Sequence, residues 1–187
     1  MKTKCSAMVL IFILMLLCVP RAGAAQSNWS GTDLNAVLKQ EVTGSSMAGK
    51  VTMTADPGSK ILEVVGSFGS RNPKNASGPI DDIFVLASGK DKPGKSRVVA
   101  IGLVGKTGEC SYLFPKDFKG YIKISYEATG DGYQIGRDKE DDPFRISLLK
   151  NPCRLCMIFL ILEGPDELKL RFFDSDIPLP KPKLPQD

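Results

Sequence analysis

Three sets of side chains in this sequence have types and spacing that could do chemistry. The first is sulfur. Beyond residue 25 the cysteines are Cys110, Cys153 and Cys156, an odd number. In an oxidising compartment three thiols give one disulfide and one leftover thiol, or one intermolecular bridge. Cys153 and Cys156 open an apolar run that reads as a strand, where residues three apart face opposite ways. Bridging them needs a turn, which Pro152 could supply, so pairing of Cys110 with one of the two is the expectation. The leftover thiol leaves a disulfide-linked homodimer open. The C-R-L-C spacing matches a redox motif, but that motif works at a helix N-terminus, where the dipole lowers the thiol pKa. A strand-like run follows here instead.

The second set is acidic. Asp138, Glu140, Asp141 and Asp142 follow Asp131 in a glycine-containing loop between two apparent strands. Calcium takes roughly six to eight oxygens, so calcium is the cofactor this set could hold. Gly132 follows Asp131 directly, which breaks EF-hand spacing, and Arg137 and Lys139 interleave the carboxylates. The competing expectation is a solvated charged loop. The third set is basic: Lys90, Lys92, Lys95 and Arg97 surround Pro93-Gly94, with Asp91 interrupting. Such a tip could meet an anionic glycan or anionic lipid heads, and it could equally be a solubilising hairpin end.

Catalysis finds little to work with. Histidine is absent, which removes the Ser-His-Asp triad, the Cys-His pair and His-based zinc sites. Asp81-Asp82 and Asp141-Asp142 are chain neighbours, not carboxylates held apart across a scissile bond. No G-x-S-x-G, P-loop or dinucleotide fingerprint occurs. The expectation is a protein that is not an enzyme.

The compartment follows from the first residues. Lys2 and Lys4 precede an apolar run from Met8 to Val19, and Ala22-Gly23-Ala24 is a small-x-small cleavage site. Residues 1–24 therefore read as a secretory signal peptide, shorter in its apolar part than the roughly 20 residues of a membrane span. Cleavage removes Lys2, Lys4 and Arg21 and no acidic side chain, so 25 basic residues become 22 against 21 acidic ones, a net +1 instead of +4. A nucleic-acid partner loses its electrostatic basis with those charges. Two glycosylation sequons agree with export: Asn28-Trp29-Ser30, and Asn75-Ala76-Ser77 in a run of turn formers.

The elements that must position these groups read as strands. Residues 25–48 form a polar segment with one short helical candidate, capped by Thr32 or Asp33 and striped by Leu34, Val37 and Leu38. From 49 to 174 apolar residues recur with period two: Val51 and Met53; Leu62, Val64 and Phe68; Val99, Ile101 and Leu103; Ile122 and Ile124; Ile146 and Leu148; Leu168, Leu170 and Phe172. Asp56-Pro57-Gly58 reads as a hairpin turn between the first two, and Gly105 to Gly108 and Thr129 to Gly132 punctuate later ones. The run from Met157 to Leu162 is apolar on both faces, which predicts a central strand covered twice. Residues 175–187 carry a proline at every second or third position and predict an extended spacer outside the sheet.

The fold class expected is all-β: an antiparallel sandwich of about 8–10 strands, jelly-roll-like or Ig-like but without the Cys-Trp-Cys core, with a closed barrel as the alternative. The function expected is a secreted glycoprotein that recognises an extracellular protein or glycan without catalysis. The alternatives are a carrier of a small hydrophobic ligand or lipid, and a disulfide-linked structural component.

Overall fold

A computed structural model describes residues 28–46, 48–72, 76–88, 94–115, 120–127, 129–162 and 167–184. The leader, Asn75, Lys90 and Lys92 lie outside these residues. The chain forms β1 (Trp29–Lys39), β2 (Glu41–Ser46), β3 (Gly49–Thr54), β4 (Ser59–Ser70), β5 (Ser77–Pro79), β6 (Ile83–Ser88) and β7 (Gly94–Val104). It continues with β8 (Cys110–Leu113), β9 (Tyr121–Tyr126), β10 (Asp131–Gly136), β11 (Arg145–Leu148), β12 (Cys153–Leu162), β13 (Glu167–Phe172) and β14 (Ser175–Pro178). A 3-10 turn lies at Ile80–Asp82.

Two sheets result, as the two-face alternation requires. The larger runs β1-β4-β12-β7-β6-β13-β14, with β2, β3 and β8 branching from it; the smaller runs β5-β11-β10-β9. Every strand pair is antiparallel except β2 with β8. The architecture is the expected all-β sandwich, richer in strands than expected, and not the closed barrel. The ends of the larger path do approach one another. Ser175 Oγ accepts from Trp29 N at 3.1 Å and donates to Trp29 O at 2.8 Å. No strand ladder joins β14 to β1.

The apolar run around Met157 is the centre of the large sheet, between β4 and β7. One face, with Leu155, Met157, Phe159 and Ile161, packs into the main core with Phe68, Leu103, and Tyr133, Ile135 and Ile146 of the small sheet. Tyr133 donates its hydroxyl to Ile101 O at 2.9 Å and so ties the sheets together. The other face, with Cys156 and Ile158, forms a second core with Val42, Ile61, Tyr112 and Phe114. This second cover exists because β7 forks. Its Gly94–Arg97 stretch pairs with β6, while Ile101–Val104 pairs with β8. β8 then lies beside β2, which carries β3. The fork is tight: a Cβ on Gly102 would stand 2.3 Å from Ser111 O, so only glycine admits the approach.

Four expectations are corrected. The helix across Thr32 to Leu38 is absent, since those residues lie in β1 and pair with β4. The register shifts between Thr32 and Asn35, and Asp33 takes a left-handed φ of 53°. This bulge swaps the inward parity, from Trp29 before it to Ala36 and Leu38 after it, and so imitates helical spacing. Asp56-Pro57-Gly58 does not close a hairpin either, because β3 pairs with β2 rather than β4. The β domain also exceeds 49–174, with β1 and β2 before that range and β14 after it.

The tail, finally, is no free spacer. Ser175–Pro178 pairs with β13, Leu179 N donates to Leu168 O at 3.0 Å, and Lys183 N donates to Ala36 O at 2.9 Å. Lys183 O in turn accepts from Leu38 N at 2.9 Å. Pro178, Pro180 and Pro182 fall at alternate positions. The residues between them keep their N–H groups, which is how a proline-rich segment docks without a full ladder.

Candidate functional site

Two concavities stand out on the described surface. The larger is a groove of about 740 Å³ at the end of the large sheet where β1 and β12 finish and β4 and β13 begin. Its floor is apolar, from Leu38, Ile161, Leu168 and Leu179. Leu162 and Leu184 stand at its lip, 74% and 73% exposed. Lys60, Lys169, Lys181 and Glu167 form a mixed-charge rim. The tail makes one wall, from Pro178 to Leu184. Leu162 ends β12 and Leu184 lies in the tail outside any strand, so the two extend the apolar floor into solvent.

The smaller is an open hollow of about 550 Å³ on a different part of the surface. Phe84 and Phe173 supply aromatic surface there beside a buried Trp29, with Asp82, Arg171 and Asp174 among them. Phe173 sits in the β13–β14 turn with a left-handed φ of 57°. Its ring lies on Gly78, where a Cβ would be 2.3 Å from it.

The cysteines are disposed as the first expectation had it. Cys110 and Cys156 form a disulfide that joins the start of β8 to the middle of β12. Cys153 is free and fully buried, with its thiol directed at Gly132 O, 3.3 Å away. Burial pushes its pKa up to about 11, helped by the nearby Asp131 carboxylate. A thiol held protonated in the core is neither a nucleophile nor ready to bridge a second chain. Burial also raises the hydroxyl pKa of Tyr133.

The acidic loop does not converge on a cation site. Asp142 Oδ2 accepts from Lys139 N at 3.0 Å, and Arg137 donates to Glu140 O while lying 4.8 Å from the Phe144 ring. Asp138 reaches Tyr121, whose pKa is raised by desolvation and by that hydrogen bond. Asp131 is buried instead, 3.5 Å from Lys150 Nζ and accepting from Arg154 N. Among the described residues no three His, Cys, Asp or Glu side chains gather as metal ligands. The expected calcium set of Asp138, Glu140, Asp141 and Asp142 is thus a loop whose bonds run to its own backbone, at Lys139 N and Glu140 O.

Of the basic tip, Lys95 Nζ sits 3.7 Å above the Phe84 ring and Arg97 lies 3.7 Å from Asp81. Both are turned toward β6 and the 3-10 turn. Asn28, of the first sequon, is exposed and donates through Nδ2 to Asp174 Oδ2 at 3.1 Å. One polar centre has no counterpart in the sequence reading. Glu63 is buried in the second core, and Lys39 Nζ reaches it at 2.7 Å while the Tyr112 hydroxyl donates to it. Its signal was a lone carboxylate at an inward position of an apolar strand. The chain matches no protein-family model, no curated protein and no solved structure.

Proposed function

We propose that the protein is a secreted, non-catalytic binding protein that carries a small apolar ligand in the groove beneath its C-terminal tail. The observation that carries this is the groove itself, an apolar floor of about 740 Å³ with two leucines left in solvent at its lip. Sites for small molecules span roughly 300–1,000 Å³, with apolar walls and a few polar groups. Covering both lip leucines is worth at most about 3–6 kcal/mol, a dissociation constant no tighter than tens of micromolar. Contacts along the floor must supply the rest, so the ligand is long enough to reach from Leu162 to Leu38. Export agrees with this role, since a carrier acts outside the cell that makes it. Loop-borne recognition of a protein or glycan draws less support, because the described parts of both charged clusters bond to their own neighbours.

The test is an organic extract of protein purified from the medium, read by mass spectrometry. A near-stoichiometric apolar compound is expected. An empty extract, together with no saturable uptake of a neutral apolar dye, overturns the reading.

A further inference from the structure

The aromatic hollow has a tethered candidate occupant at its edge. Asn28 opens the sequon Asn28-Trp29-Ser30. Its side-chain amide bonds Asp174 Oδ2 at 3.1 Å, and Asp174 and the next residue, Trp29, both line the hollow. Trp29 is buried, 7% exposed, and packs behind Phe173 with ring centroids 4.5 Å apart inclined at 48°, so Phe173 presents the open aromatic surface. Beside it stand the exposed carboxylate of Asp82 and the Arg171 guanidinium, which Asp176 holds at 3.1 Å and Asp174 O at 3.2 Å. Aromatic faces attract the C–H face of a sugar ring, and carboxylate and guanidinium groups hydrogen-bond its hydroxyls. The hollow is shallow and half polar, a poor fit for an apolar ligand and a good one for a saccharide.

We propose that Asn28 carries an N-linked glycan whose first sugars lie in this hollow against Phe173. The proposal rests on the export reading and is independent of the apolar groove. In the reaction Asn28 Nδ2 forms a bond to the anomeric carbon of a lipid-diphosphate-linked oligosaccharide. The sugar–phosphate bond breaks, the lipid diphosphate leaves with the bonding pair, and the amide releases one proton. The remaining N–H still serves Asp174. Attachment at the rim then gives the sugars a high effective concentration over the hollow, so weak contacts suffice to seat them. A free glycan of the same chemistry would need far stronger contacts.

The test uses full-length protein secreted from a glycosylating cell, trimmed by endoglycosidase and examined by intact mass and NMR. Occupied Asn28 is expected, with its N-acetyl methyl signal shifted upfield by ring current and showing cross-relaxation to the Phe173 ring. Asp174→Ala and Phe173→Ala each return that signal toward its free position with occupancy unchanged. Using both keeps the test open if the Phe173 variant fails to fold. Secreted protein with Asn28 bare overturns the proposal, as does a glycan with unshifted signals. Bare protein whose Phe173 ring responds to added N,N′-diacetylchitobiose overturns it in favour of a foreign glycan. A chain that keeps its leader and bears no sugar overturns the export reading and the glycan seat together, while leaving the groove standing.

Discussion

Two apolar patches on the same strand receive different covers. At the middle of β12, Cys156 and Ile158 lie under β2, β3 and β8, which are hydrogen-bonded to one another and to β7 and pinned by the Cys110–Cys156 disulfide. At its end, Ile161 and Leu162 line a groove walled by the tail, which beyond Pro178 forms no continuous ladder because Pro180 and Pro182 have no N–H to give. In the first patch Cys156 and Ile158 are fully buried. The second keeps Leu160 at 38% and Leu162 at 74% exposure. Identical chemistry along one strand therefore becomes core in one place and groove in the other, and the covering segment's capacity to hydrogen-bond decides which.

The largest effect expected from breaking this contrast is on the sealed side. Replacing Cys110 and Cys156 together with serine frees a loop with a sequence separation of 46. It should cost about 3–4 kcal/mol by loop entropy, read from denaturant midpoints. Ile158→Ala should cost about 2–4 kcal/mol, because a fully buried side chain leaves a cavity. The matching Leu162→Ala should stay within about 0.5 kcal/mol. Comparable losses at the two positions would mean that the patches do not differ as described.

How far the sequence revealed this depends on the residue. Met157 to Leu162 announced a strand covered on both faces, because an apolar side chain at every position has no wet side. It could not announce that the cover thins at Leu160, since the segments above it come from Glu41–Ser46 and Pro178–Leu184, far away in the chain. β1 was misread because a bulge at Asp33 shifts parity and mimics a helical stripe. The tail was misread because prolines argue against strands, and only the docked structure shows the alternate N–H groups of Leu179 and Lys183 at work. The disulfide partner of Cys110 was narrowed to two thiols. The β12 pleat decides between them, since Cys156 faces the second core and Cys153 the first.

Further effects sharpen the contrast. Cys153 lies on the sealed strand with its pKa pushed up to about 11 from an ordinary 9.0. Between those values the unfolded chain has lost the thiol proton and the folded chain has kept it. Folding stability should therefore fall as pH rises from about 9 to about 11, with no contribution below 9. Denaturation midpoints of wild type and Cys153→Ala should converge over that window. Below pH 9, Cys153 should also resist alkylation until the protein is unfolded. On the open side, removing residues 179–187 should cost about 2–4 kcal/mol, since three backbone bonds hold Leu179 and Lys183, and should release apolar ligand faster.

The most direct test of the groove as the binding site is a titration of wild-type and Leu162→Asp protein with Nile red, with the melting midpoint of each measured alongside. One saturable site on the wild type is expected, at least tenfold weaker in the variant, with midpoints that agree. Equal saturable binding to both proteins, or none to the wild type, would contradict a ligand groove beneath the tail.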